Sequence, residues 1–204
     1  MKQFMKVICL VLALMLVGGM ALAEGDKVVV GTNPEFPPFE YIADDGSFAG
    51  FDMDLISAIM QGIGVDYEIV AMDFDALLPA LASGNIDVAI AAMTINDERK
   101  QNALFSDPYF HATQKIIIKA DNEAIAGEAD LAGKKVGVQM GTTGDLYVSE
   151  LVDYEANVER YTKALDAVLD LAAGRLDAVI VDEGPSAYFA AAVEGLKILD
   201  DTLS

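Results

Sequence analysis

The residues best equipped for chemistry stand just after short apolar runs. Arg99 carries a guanidinium, whose planar fork of N–H donors matches a carboxylate. Thr94-Ile95-Asn96-Asp97 precedes it and has the form of a capping box, a hydroxyl followed by an acid at the third position on, so a helix is predicted to start there. Gly141-Thr142-Thr143-Gly144 opens a second predicted helix and has the make-up of a small anion nest. Asp182 closes another apolar run and serves either as a helix cap or as a partner for an ammonium group. On local sequence alone, Arg99 fits an exposed helix arginine as well as a carboxylate fork, and Thr94 fits a plain cap.

No catalytic set emerges. The single histidine, His111, has no acidic or cysteine partner at a telling spacing and reads as a surface or hinge residue. No metal-ligand cluster and no P-loop is present, so neither a metal nor a cofactor is called for. Asp52 and Asp54 read as first-turn helix acids. Asp87 and Asp177 read as structural, because each precedes its strand.

The elements that must position these groups follow from periodicity and punctuation. Val28 to Thr32 is predicted to be a buried strand. Asn33 to Tyr41 contains Pro34, Pro37 and Pro38 and is held extended. Its rings Phe36, Phe39 and Tyr41 form either an aromatic platform or core plugs. Asp44-Asp45-Gly46-Ser47 is a hairpin-type turn. A helix opens at Gly50, with Leu55, Ile56, Ile59 and Met60 at helical spacing, and ends at Gly62 and Gly64. A strand over Val65 to Val70, a helix over Asp75 to Leu81 and a buried strand over Ile86 to Met93 complete a β-α-β-α-β unit, hence a mostly parallel sheet.

The second half is predicted to hold strands at Ile116 to Ile118, Lys134 to Gln139, Asn157 to Tyr161, Leu176 to Val181 and Leu196 to Leu199. Its helices run from Asp145 through Val152, Lys163 to Ala173 and Ser186 through Val193. A Gly-x-apolar-Asp element precedes a strand twice, at Gly84 to Asp87 and at Gly174 to Asp177. The chain is therefore α/β, with two lobes of related topology. Ligands of open α/β sheets bind beyond the carboxyl ends of the strands. Phe36, Thr94 with Arg99, Thr142 with Thr143, and Asp182 all stand at such ends.

Composition narrows the class. Lys2 and Lys6, the apolar run Val7 to Met20 and the small-x-small site Ala21-Leu22-Ala23 make residues 1–23 a secretory signal, its apolar run being short for a membrane span. The product is predicted to be exported, periplasmic or extracellular. The one cysteine, Cys9, lies in that leader, so the exported chain has no disulfide and depends on an apolar core. A net charge of −20 repels nucleic acid and anionic lipid.

Taken together, Gly31 to Phe39, Gly50-Phe51-Asp52, Gly84 to Asp87, Met93 to Arg99, Phe105 to Tyr109, Gly137 through Thr143 and Asp182-Glu183 resemble the extracytoplasmic solute-binding proteins of polar amino-acid ABC transporters, family 3. The motifs run in family order over nearly the whole exported chain. The resemblance implies a periplasmic-binding-protein-like fold with lobe one at 24–111 and lobe two at 112–204. It also implies a free amino acid as ligand, an ABC transporter permease as partner and no enzymatic activity. Arg99, with Thr94 and Thr143, would take the α-carboxylate and Asp182 the α-ammonium, Thr142 being a further ligand-binding residue. Phe36 would stack on the ligand and Phe74 touch its side chain, with Ala91 and Ala92 as the floor and the Ala92 carbonyl helping the ammonium.

Two departures stand against the family pattern. Some members specific for basic side chains carry an acid where this chain has Asn33, which weakens a lysine, arginine or histidine assignment. The family's C-terminal return segment into lobe one is also absent, so a less stable lobe one is expected. A sensor, a non-binding remnant and a dehydratase acting on prephenate-like acids are the other readings. No additional acid–base pair favours the last.

Overall fold

The computed structural model describes residues 27–150 and 157–203. The predicted signal peptide lies outside these residues, as does the far end of the helix predicted to reach Val152.

The first half is built on β1 (Val28–Thr32), flanked in parallel by β5 (Tyr67–Ala71) and β6 (Val88–Ala89). Between β1 and β5 the proline-rich stretch forms a small antiparallel sheet of β2 (Glu35–Phe36), β3 (Glu40–Ile42) and β4 (Phe48–Ala49), with the Asp44–Ser47 turn joining the last two. Helix α1 (Phe51–Ile63) follows and ends on a left-handed Gly64. It lays Met53, Ile56 and Met60 against Val30 and Ile90. A 3-10 turn (Phe74–Ala76) leads into α2 (Leu77–Ala82), whose Leu77 packs on Ile86 and Ala91.

Two predictions from the sequence are corrected here. The strand expected over Ile86 to Met93 is reduced to Val88–Ala89, with flanking ladder bonds from Asp87 N to Val29 O and from Ile90 N to Gly31 O. Thr94 does not cap a helix. The short α3 (Asp97–Lys100) is capped by Asn96, whose side-chain oxygen accepts from Arg99 N at 2.8 Å. Asparagine is as good a cap as threonine, and using it leaves the Thr94 hydroxyl free of that duty.

The chain then passes to a five-stranded sheet of order β11-β7-β10-β8-β9. Its members are β7 (Gln114–Lys119), β8 (Val136–Gln139), β9 (Val158–Tyr161), β10 (Ala178–Asp182) and β11 (Leu196–Leu203). Strands β8, β9 and β10 are mutually parallel. Strand β7 is antiparallel to both β10 and β11, so this sheet is mixed rather than wholly parallel. Helices α4 (Thr143–Glu150), α5 (Ala164–Ala172) and α6 (Glu183–Ala192) cover it. Ile116, Ile117 and Ile118 are fully buried, their alternation feeding the cores on both faces of the sheet.

The repeat seen in the sequence is repeated in detail. Asp87 N donates to Val29 O and the Asp87 carboxylate accepts from Val29 N at 2.8 Å. Asp177 N donates to Lys135 O and its carboxylate accepts from Lys135 N, also at 2.8 Å. Each aspartate thus zips its strand to the start of a neighbouring one, which is the structural role its position implies. Two residues further along those neighbours stand Gly31 and Gly137. A Cβ on either would come within 2.5 Å of a buried methyl, from Ile86 and Leu176 respectively.

Gly31→Ala and Gly137→Ala are therefore expected to destabilise the chain by similar amounts, ~1–3 kcal/mol each. Gly62→Ala, in an exposed turn of α1 with open space around the new methyl, is expected to stabilise it by ~0.5–1 kcal/mol. Urea unfolding of the three variants measures this.

Candidate functional site

A narrow cleft lies between the carboxyl ends of the two sheets, lined by Phe36, Phe74, Ala91, Ala92, Thr94, Gln139, Thr142, Thr143 and Asp182. Seven of these, together with Arg99 beside them, make up the residues picked out from sequence, Ala91 having been named as floor. Gln139 was missed. Strand β1 delivers Phe36 through β2, and the turn after β5 delivers Phe74. The chain leaving β6 brings Ala91, Ala92 and Thr94, the end of β8 brings Gln139 to Thr143, and the end of β10 brings Asp182.

Arg99 is set back from the lining and almost wholly buried, at 5% exposure. Its Nη1 donates to Thr94 O at 2.7 Å and its Nη2 to Gly141 O at 2.8 Å, so one side chain spans both halves of the cleft. The Phe74 ring lies 5.5 Å from the guanidinium carbon, within cation–π range. Burial works against the charge on Arg99, and the Asp182 carboxylate supports it.

Asp182 is the N-cap residue of α6, yet its side chain makes no capping bond. It is buried and instead accepts from the Gln114 amide. Burial raises its affinity for a proton, while Gln114 and Arg99 oppose this. Of the two roles open to Asp182, the carboxylate is thus the one left available.

The predicted anion nest is smaller than its sequence suggests. Gly141 N donates to Asp145 Oδ2 at 3.0 Å, and Thr142 gives both its N–H and its hydroxyl to Gln139 O. Among the described residues, Thr143 keeps its N–H and hydroxyl free. Asp145 is fixed in turn by Arg160 Nε at 2.8 Å.

Several contacts cross the cleft. Gln139 Nε2 donates to Asn33 Oδ1 at 2.9 Å, and Asn33 Nδ2 to Met72 O at 3.0 Å. Lys163 pairs with Glu35. Phe36 and Phe39 share a core cluster with Val181 and Phe189 of the second half. Tyr41 is half-buried and His111 exposed.

Behind the floor lie two acids that composition and spacing did not single out. Asp52 stands in the first turn of α1 as predicted, but it is fully buried rather than a solvated dipole partner. Its Oδ2 accepts from Ala92 N at 2.7 Å and from the Tyr109 hydroxyl at 3.0 Å. Glu40 is also fully buried, and neither of its oxygens nor Asp52 Oδ1 has a donor among the described residues. Burial first, then the neighbouring Asp52, then Asp182, hold the Glu40 carboxyl well above its ordinary range. A proton on Glu40 facing Asp52 satisfies both acids.

With this geometry in hand, residues 28–199 match the bacterial extracellular solute-binding proteins, family 3. The chain belongs to that family. It is 39% identical over 178 residues to an L-arginine-binding protein of Pseudomonas aeruginosa, a match covering 83% of this chain and 69% of that protein. It is 33% identical over 207 residues to an L-cystine-binding protein of Escherichia coli (strain K12), covering 95% and 75% respectively. A solved structure of an ancestral arginine-binding protein bound to arginine superposes with a TM-score of 0.82 at 41% identity, covering 87% of this chain and 79% of that one. The two-lobed α/β solute-binding fold follows from these likenesses. Family 3 proteins share the scaffold and differ in ligand, so specificity has to come from the acids and rings around the cleft.

A carboxyl that binds its proton more tightly folded than unfolded stabilises the fold at low pH. That contribution is lost as pH rises from the ordinary range, about 4.3 for glutamate, through the raised folded value. Glu40 behaves in this sense. The melting temperature of the ligand-free chain is expected to fall more steeply above about pH 5 in the wild type than in Glu40→Gln. Calorimetric scans across pH test this; parallel profiles contradict it.

Proposed function

We propose that this chain binds a free amino acid with a cationic side chain, closes its two lobes over it and hands it to an ABC transporter permease. Lobe one spans residues 24–111 and lobe two 112–204, with the hinge near Phe110 to Gln114. The observation that carries the reading is the charge inventory around the cleft. One guanidinium, Arg99, stands with Asp182 at the cleft, and two further buried carboxyl groups, Glu40 and Asp52, lie behind the floor. A zwitterion with an added positive charge complements that set. Its carboxylate meets Arg99, Thr94 and Thr143, and its ammonium meets Asp182 and the Ala92 carbonyl. Its side chain runs between Phe36 and Phe74 toward Glu40 and Asp52.

The neutral Asn33 no longer argues against a basic ligand. Asn33 is committed to Met72 and Gln139, and the acids come from β3 and α1. The arginine-binding relative and the arginine-bound structure support the same reading. Closing excludes water from the charged contacts and makes the ligand itself the stabiliser of the closed form. The reading is of a binder rather than an enzyme, since the relatives are named for binding.

A thermal-shift screen over the twenty amino acids tests this. Ligand at a hundred times Kd adds about 2.7 kcal/mol, which is about 5–10 °C for a chain of this size. Arginine, lysine and histidine are expected to give the largest shifts, and neutral amino acids shifting as much would overturn the reading. The arginine shift is expected to be larger at pH 8 than at pH 5. Glu40 must yield its proton to meet a cation, in surroundings set by Asp52, Asp182, Tyr109 and Arg99.

A further inference from the structure

Ala92 has φ +48° and is the one non-glycine residue with positive φ among those described. An L-residue is disfavoured there, because its Cβ crowds the backbone. Such a conformation persists only where neighbouring groups hold it. Ala92 lines the cleft, and its predecessor Ala91 is buried beneath it. The peptide N–H of Ala92 points away from the cleft, onto Asp52 Oδ2 at 2.7 Å.

Asp52 is itself tied down on three sides. Its backbone N donates to Phe39 O at 2.8 Å, at the end of the proline-rich loop that carries Phe36. Its Oδ2 takes a second hydrogen bond, from the Tyr109 hydroxyl, 57 residues away in the segment that passes to the second sheet. The Phe51 and Tyr109 rings stack at 5.9 Å, which fixes that hydroxyl. One carboxylate oxygen therefore joins the start of α1, the floor of the cleft and the segment that crosses between the halves.

We propose that Asp52 is a positioning residue for ligand binding, acting through Ala92: its Oδ2 holds the left-handed turn that shapes the floor of the cleft and ties that turn to the crossing segment. The inference rests on the amino-acid-binding reading above and adds to it a backbone role distinct from any charge Asp52 offers a ligand. Without Oδ2, Ala92 returns to negative φ. The peptides on either side of it then turn, and the floor under Phe36 and Phe74 changes shape.

The role is separable because glycine occupies positive φ without an anchor. Arginine and its uncharged isostere citrulline are titrated into wild type, Asp52→Ala, Ala92→Gly and the double variant. Asp52→Ala is expected to weaken both ligands by about tenfold or more through the floor, with a further loss confined to arginine from the removed charge. With Ala92→Gly as the reference background, adding Asp52→Ala is expected to cost citrulline little further affinity, so that the double variant recovers the loss shared by both ligands. A double variant as weak for both ligands as Asp52→Ala overturns the proposal.

The Ala92 13Cα and 13Cβ shifts give a ligand-free reading: a left-handed signature in wild type and in Tyr109→Phe, lost in Asp52→Ala. An unchanged signature in Asp52→Ala also overturns it. If wild type binds no amino acid, the functional reading fails while these shifts still decide whether Asp52 holds the turn. Should Asp52→Ala not fold, Asp52→Leu in the Ala92→Gly background supplies the same comparison.

Discussion

A buried guanidinium needs an anion. Arg99 is almost completely removed from water, and its hydrogen bonds go to two backbone carbonyls, Thr94 and Gly141. Carbonyl dipoles satisfy N–H donors but do not neutralise a charge, and a buried charge without a counter-charge is costly. Among the described residues no carboxylate oxygen reaches Arg99 within hydrogen-bond distance, although Asp182 acts on it from further off. Under the proposed function, the anion that answers this charge is the carboxylate of the ligand. The Gly141 to Thr143 loop is braced by Asp145 and Arg160, so that a carbonyl faces Arg99 while Thr143 donors stay free. Phe74 covers the guanidinium face.

The same economy appears in the scaffold. A helix, a left-handed glycine and a short aspartate-led strand occur once in each half, each with its aspartate hooked onto a neighbouring backbone and its close-packed glycine beside it. Two copies set tip to tip bring several strand ends to one cleft, with Arg99 supplied by the first half and Asp182 by the second. Gln139 to Asn33 and Lys163 to Glu35 then join the halves without engaging Arg99 or Asp182.

Much of this was legible in the sequence because it rests on local rules. Glycine and proline punctuation located α1, the hairpin and the ends of the strands, and the family motifs named the lining residues. What escaped depends on distant partners. The Ile86 to Met93 run has strand composition, yet its last ladder bond is from Ile90 N to Gly31 O, and Ala92 instead meets Asp52, 40 residues earlier. Thr94 and Asn96 are both competent caps, and only packing decided between them. Asp52 and Glu40 look like surface acids in a polar context, since nothing local says that β3 and the start of α1 are folded beneath the cleft floor. Gln139 ends a strand like many other polar residues, and its partner Asn33 lies 106 residues away.

The claim most directly open to measurement is that Arg99 lacks a counter-charge until a ligand carboxylate supplies it. Isothermal titration of wild type and Arg99→Ala with arginine and with argininamide, which keeps every other group, separates this contact from all others. The account predicts that wild type prefers arginine over the amide by about a hundredfold, in line with a buried charge-assisted pair at ~3 kcal/mol, and that Arg99→Ala shows little preference. Equal binding of arginine and its amide by the wild type would contradict it.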